Sequence, residues 1–199
     1  MKEKPEGSRL YYIGGITGSG KTSVSREVAQ NTPETVVVYG SKLLMEHFGC
    51  RSYDELNSVS DYKQKKGRIE IFSNLVGTEA KNVLVDGHYV IFIRDGKPAR
   101  TVDEEWIVNF QALIHLITDP NIILERLLKD VQDFSRRIKN LIESDETVLD
   151  RIKRSQENSM DQAQNLANHI SIPLRIVDNS SDLQKTAQKV KAIISGDKY

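Results

Sequence analysis

The stretch GITGSGKT, Gly15 to Thr22, limits what this chain can fold into more than any other part of it. A glycine, four free positions, a second glycine, then lysine and threonine is the spacing of a phosphate loop, and its flanks match that reading. LYYIG (Leu10 to Gly14) is a short apolar run suited to a buried strand, and SVSREVAQ (Ser23 to Gln30) opens a helix. Strand, glycine loop and helix in succession let backbone N–H groups converge on an anion, with the positive end of the helix dipole behind them. The expected ligand is therefore ATP, cradled by Gly15, Thr17, Gly18, Ser19, Gly20, Lys21, Thr22 and Ser23. Lys21 is expected to reach the β- and γ-phosphates, and the Thr22 hydroxyl to coordinate Mg²⁺.

The rest of the chain alternates strands with helices. TVVVYG (Thr35 to Gly40) reads as a second buried strand, and NVLVDGH (Asn82 to His88), ALIHLI (Ala112 to Ile117) and SIPLRIVDN (Ser171 to Asn179) as three further strands. Between them lie helical stretches: SKLLMEHFG, capped by Ser41; a span from Arg51 to Lys81 weakened at Gly67; a short helix from Asp103 to Phe110; and NIILERLLKDVQDF after a cap at Asp119 and Pro120. A long helix from about Asp145 to Asn168 and a last one from Asp182 to Ser195 complete the set. YVIFIRDGKPART reads as a hairpin turning at Asp95-Gly96. The pattern predicts an α/β, three-layer phosphate-loop fold with a mostly parallel sheet covered by helices on both faces.

At 199 residues the chain suits one domain, with acceptor-binding helices at about 41–80 and a lid at about 133–145. Lysine plus arginine and aspartate plus glutamate number 28 each, so no overall field draws the protein to nucleic acid or acidic membrane. The single cysteine, Cys50, excludes an internal disulfide and a four-cysteine metal cage. No apolar run reaches the roughly 18 residues of a membrane span, and the charged MKEKPEGSR leads straight into the first strand. A cytoplasmic protein with nucleotide substrates is expected, and nothing in the pattern opposes a homo-oligomer.

Asp86 follows the apolar Val83 to Val85, at the strand end that opens into the ligand crevice of a parallel sheet. There a carboxylate can hold Mg²⁺, orient an acceptor or act as a base, while the plainer alternative is an Asp-Gly turn. His88, two residues on, is either an acceptor contact or a packed imidazole. Phosphoryl transfer also needs cations around the migrating charge, and Arg126, Lys129, Arg136 and Arg137 cluster on and after one helix, with Arg151 and Arg154 on the next. Each alone could instead pair with Glu125, Asp130, Asp133 or Asp150.

GITGSGKT, VVVYG, DYKQKK, VDGH, LITDPNIILERLLKD and SDETVLDRI, in that order, resemble the archaeal-type adenylate kinases over nearly the whole chain. The resemblance implies a five-stranded parallel sheet in the order 2-3-1-4-5, a monophosphate site on the helices after the second strand, and a short lid after the fourth. It places Ser41, Gln64, Arg68, His88 and Arg94 as acceptor-site candidates, and Lys21, Asp86, Arg126, Arg136 and Arg137 as catalytic ones. Several positions depart from the family. Ser41 stands where an acid is usual, Phe92 where an arginine is usual with Arg94 two residues on, Glu157 where another arginine is expected, and DVQDFSRRIKN is poorer in arginine than the family's lid. The first reading is a nucleotide kinase passing the γ-phosphoryl of ATP to a nucleoside monophosphate. The alternatives are an ATP-dependent kinase of a hydroxyl-bearing small molecule, with Asp86 as base, and an ATPase switch acting on a protein partner.

Overall fold

Five parallel strands form the sheet, and their apolar runs explain why it is covered on both sides. The computed structural model describes residues 7–92, 98–102, 104–129 and 147–196. The strands are β1 (Arg9–Gly14), β2 (Thr35–Tyr39), β3 (Asn82–Asp86), β6 (Phe110–Ile117) and β7 (Leu174–Asp178); β4 (Val90–Phe92) and β5 (Pro98–Arg100) form a separate antiparallel pair. The sheet order is β2-β3-β1-β6-β7. Counting only its own members, this is the second-third-first-fourth-fifth order expected from the sequence. The turn at Asp95-Gly96 lies outside the described residues.

Alternate residues of each strand feed opposite faces. Leu10, Tyr12, Val83, Val85 and Leu113 join one core, capped by Phe72 of α4 (Asp61–Asn74), Trp106 of α5 (Glu104–Ile107), and Ala163 and Leu166 of α7 (Val148–Ile170). Tyr11, Ile13, Leu84, Ile114 and Leu116 join the other, under Val24 and Val28 of α1 (Lys21–Gln30) and Val190 and Ile194 of α8 (Leu183–Ser195). Ile123 and Leu127 of α6 (Pro120–Lys129) pack with Ile152 against Ile16 of the glycine loop, so the loop rests on an apolar base.

Side-chain caps start α6, α7 and α8, the one at Asp119 as expected. Asp119 Oδ1 accepts from the Asn121 amide at 2.8 Å, and Asp182 Oδ1 accepts from the amides of Gln184 and Lys185 at 2.7 and 3.1 Å. The long helix starts after Thr147, whose hydroxyl accepts from the Asp150 amide at 3.1 Å. Ser41 departs from expectation, because α2 (Gly40–Phe48) begins at Gly40 with Tyr39 in the capping position and no side-chain cap. The strand turns into helix without a linker, which leaves Ser41 inside the first turn. The span after Arg51 resolves into α3 (Tyr53–Ser58), α4 and a 3-10 turn over Leu75–Gly77. Gly67 is where α4 approaches α2: a Cβ there would stand 2.7 Å from the Phe48 ring.

The register brings the carboxyl ends of the strands to one edge. Ile13 lies opposite Asp86, Tyr39 opposite Asp86 on the other side, and Gly14 opposite His115. After β1 the chain crosses outward to β2, and after β3 it crosses back past β1 to β6, so the direction of winding reverses between β3 and β1. Such a reversal leaves a crevice beyond the strand ends.

Candidate active site

The glycine loop lies in that crevice. Gly18 and Gly20 have φ of 83° and 86°, in the left-handed region. Gly20 caps α1, and neither a capping side chain nor an acidic residue occupies the first turn of that helix. Its leading N–H groups are thus left for an anion. Lys21, 6% exposed, folds back to donate to Ile16 O at 2.8 Å, with its Nζ 3.5 Å from His88 Nε2. Thr17 is exposed at the loop, Ser23 is exposed on α1, and the Ser19 side chain is fully buried, which confines Ser19 to backbone contact with a ligand.

Three side chains from distant elements bond the loop's carbonyls at Gly18 and Ser19. Asn179 Nδ2 donates to Ser19 O at 2.8 Å and Thr118 Oγ1 to the same oxygen at 3.1 Å. Arg126 donates through Nη1 to Gly18 O at 3.3 Å and through Nη2 to Asn179 O at 3.2 Å. Arg126 was expected beside the migrating charge, and its guanidinium lies against the loop. Asn179 and Thr118 were missed by the sequence reasoning, although each is the polar residue directly after an apolar strand, where a parallel sheet puts its ligand contacts.

Across the crevice Thr22 Oγ1 donates to Asp86 Oδ2 at 2.7 Å, which unites two residues 64 positions apart that the sequence paired as a metal site. Asp86 is 8% exposed, and burial raises its pKa above the ordinary carboxylate value against the pull of Lys21 and the Thr22 hydrogen bond. No group of three or more His, Cys, Asp or Glu among the described residues could hold a metal. The Thr22–Asp86 oxygen pair fits Mg²⁺, which keeps several waters and takes few protein ligands beside phosphate.

The acceptor candidates divide. Arg68 is buried at 9% exposure on α4, and its charge is felt at the Tyr12 hydroxyl. Ser41 Oγ lies 3.1 Å from the Tyr53 hydroxyl. The Gln64 amide nitrogen is committed to the carbonyls of Leu56 and Val59 at 2.9 and 3.0 Å, which ties α4 to the end of α3 and gives Gln64 a bracing role. Arg94, Arg136, Arg137 and the lid at 133–145 lie outside the described residues.

Solved structures of similar shape span almost the whole chain. A shikimate kinase from Bacteroides thetaiotaomicron superposes with a TM-score of 0.62 at 15% identity, covering 94% of this chain and 98% of its own. A shikimate kinase from Acinetobacter baumannii, in complex with shikimate, gives 0.60 at 17% identity over 96% and 95%. A gluconokinase from Sinorhizobium meliloti 1021 gives 0.51 at 13% over 97% and 94%. At such identities the likeness shows the fold, a phosphate-loop α/β fold shared with kinases. Among curated proteins no sequence gives a significant match. A family model described as an AAA domain matches residues 14–144, from the end of β1 through the glycine loop, Asp86 and α6. With most of its length under that match, the chain belongs to the AAA domain family.

Proposed function

We propose that the protein is an ATP-dependent kinase that transfers the γ-phosphoryl group to a hydroxyl of a small molecule, with Asp86 as general base. The observation that carries this reading is the buried Asp86 carboxylate at the end of β3, hydrogen-bonded to Thr22 beside the glycine loop and with its pKa raised by burial. A carboxylate acting as base gains from a pKa moved toward the working pH, and an alcohol acceptor needs that base where a phosphate oxygen does not. The similar structures, two shikimate kinases and a gluconokinase, agree with such an acceptor.

In the reaction the acceptor hydroxyl gives its proton to Asp86, and its oxygen bonds to the γ-phosphorus. The bond between that phosphorus and the β,γ-bridging oxygen breaks, and ADP leaves. Lys21 releases Ile16 O to meet the phosphates, while the loop amides and the start of α1 hold their charge. Thr22 would hold Mg²⁺, which when bound offsets charge on the phosphates, and Asp86 in this reading is left to take the acceptor's proton. Arg68 offers a buried cation near the Tyr12 hydroxyl, suited to an anionic group on the acceptor.

The monophosphate-kinase reading is favoured by the same Arg68 and by the resemblance to archaeal-type adenylate kinases. Incubation with Mg-ATP and a panel of sugar acids, polyols, nucleosides and nucleoside monophosphates, with products resolved by chromatography, separates the two. Phosphorylation of a hydroxyl is expected. A nucleoside diphosphate formed from a monophosphate, with no hydroxyl product, overturns the proposal in favour of the second reading.

A further inference from the structure

The turn after β3 is pinned at three successive residues. The Gly87 amide donates to Ile13 O at 3.0 Å, extending the sheet register one step past Asp86. The His88 carbonyl accepts from the Tyr12 hydroxyl at 2.7 Å and from the Thr101 hydroxyl. The Tyr89 hydroxyl donates to Ile114 O at 3.2 Å, and its ring stacks on His115 with centroids 5.4 Å apart. Gly87 is required by this arrangement, since a Cβ there would stand 2.3 Å from the Tyr12 hydroxyl.

The two donors to the His88 carbonyl come from different elements. Tyr12 comes from β1, two residues before Gly14, and is 3% exposed with its ring edge-on to Tyr89, Trp106 and Phe110. Thr101 follows β5, so it belongs to the hairpin that leaves the sheet directly after the turn; its amide also donates to Tyr89 O at 3.2 Å. Burial raises the Tyr12 pKa, which keeps its hydroxyl a donor throughout the range in which the protein works. The turn between these clamps carries Asp86 on one side and, on the other, the His88 ring 3.5 Å from Lys21 Nζ.

We propose that Tyr12 and Thr101 are positioning residues that act as one clamp on the His88 carbonyl, setting where Asp86 meets Thr22 and where the His88 imidazole meets Lys21. Neither need touch substrate. The clamp also makes the β4–β5 hairpin part of the site, because a shift of the hairpin pulls on the turn through Thr101. This role rests on the kinase reading for its catalytic consequence, but not for its structural one.

The test uses Tyr12→Phe, Thr101→Val and the double variant of the full chain. Tyr12→Phe keeps the buried ring and removes only the donor. Small misplacements of reacting groups cost up to about a hundredfold, so kcat is expected to fall roughly tenfold to a hundredfold with KM for ATP held. Because both donors serve one oxygen, the double variant is expected to be little worse than the poorer single one. Full kcat in folded Tyr12→Phe, or losses that multiply in the double variant, overturn the shared clamp. A fall in kcat that only tracks loss of folded protein in urea also overturns it, leaving a merely structural bond.

A second readout needs no acceptor. In histidine side-chain NMR of the parent, with the His88 signal assigned through His88→Gln, the His88 resonances are expected to move in both single variants while His47 and His169 stay. An unmoved His88 signal overturns the clamp. If instead His88 moves and no acceptor in the panel is phosphorylated by the parent, it is the kinase reading that fails.

Discussion

Replacing Asp86 by asparagine separates the chemistry of the site from its fold. Asparagine keeps the volume and an oxygen able to accept from Thr22 Oγ1, now 2.7 Å from Oδ2, but it is neither an anion nor a base. Loss of a general base is expected to lower kcat by about 10² to 10⁴, or about 2.7–5.4 kcal/mol at about 1.36 kcal/mol per tenfold. Disturbing the hydrogen bond alone would cost about 1 kcal/mol, roughly fivefold. The two magnitudes do not overlap. Stability should run the other way, because burial outweighs Lys21 and Thr22 and raises the folded-state pKa of Asp86. A carboxyl raised on folding adds stability in acid that is lost as pH rises through its folded pKa, so at neutral pH the variant should melt no lower than the parent. The assay is acceptor-dependent ADP release from pH 5 to 9, with thermal unfolding at each pH. The parent should lose rate in acid as Asp86 takes up a proton, and the variant should lack that limb. A variant within about fivefold of parent kcat, or one with the parent's acid limb, would refute Asp86 as base.

Lys21→Ala should abolish ATP turnover while thermal unfolding shows an intact fold, since Lys21 gives the loop a charge for phosphate; turnover at the parent rate would sink the loop assignment. Asn179→Ala removes one of two donors to Ser19 O and should weaken ATP binding by about 1 kcal/mol, roughly fivefold, by fluorescent-nucleotide titration; unchanged affinity would show that the brace does not shape the loop. His115 is fully buried, with Nε2 3.1 Å from Ser159 Oγ, and burial, with a smaller push from Lys21, lowers its pKa to about 4. Its contribution is present above the ordinary value of 6.5 and lost as pH falls through 4, worth at most roughly 3 kcal/mol. Urea unfolding of His115→Phe should lack that part of the acid slope, and an identical slope would exclude His115 as its source.

What the sequence determined by itself is local. The glycine loop was legible because its conformation depends on glycines at fixed spacing and on the strand and helix at either end, all within Arg9–Gln30. The cap at Asp119 was legible for the same reason, bonding an amide two residues away. The central strands β1, β3 and β6 declared themselves because residues buried on both faces make nearly unbroken apolar runs, whereas β2 and β7 are partly exposed. Placing Asp86 beside the loop followed from a general property of parallel sheets, that strand ends share one edge.

What only the tertiary structure decided depends on pairs far apart in the chain. Asn179 and Ser19 are 160 residues apart and Thr118 and Ser19 are 99, so no local pattern marks them as partners. Arg126 looked like a free cation on a helix until α6 packed its apolar face under Ile16 and turned the guanidinium onto the loop. The direct run of β2 into α2 and the close end of α3 decided the partners that Ser41 and Gln64 bond within the chain. Tyr12 read as one more apolar strand residue, and its hydroxyl became a clamp only when the turn after β3 crossed above it. Residue type and spacing state what a side chain can bond, and the packing of the sheet and its helices chooses which of those bonds form.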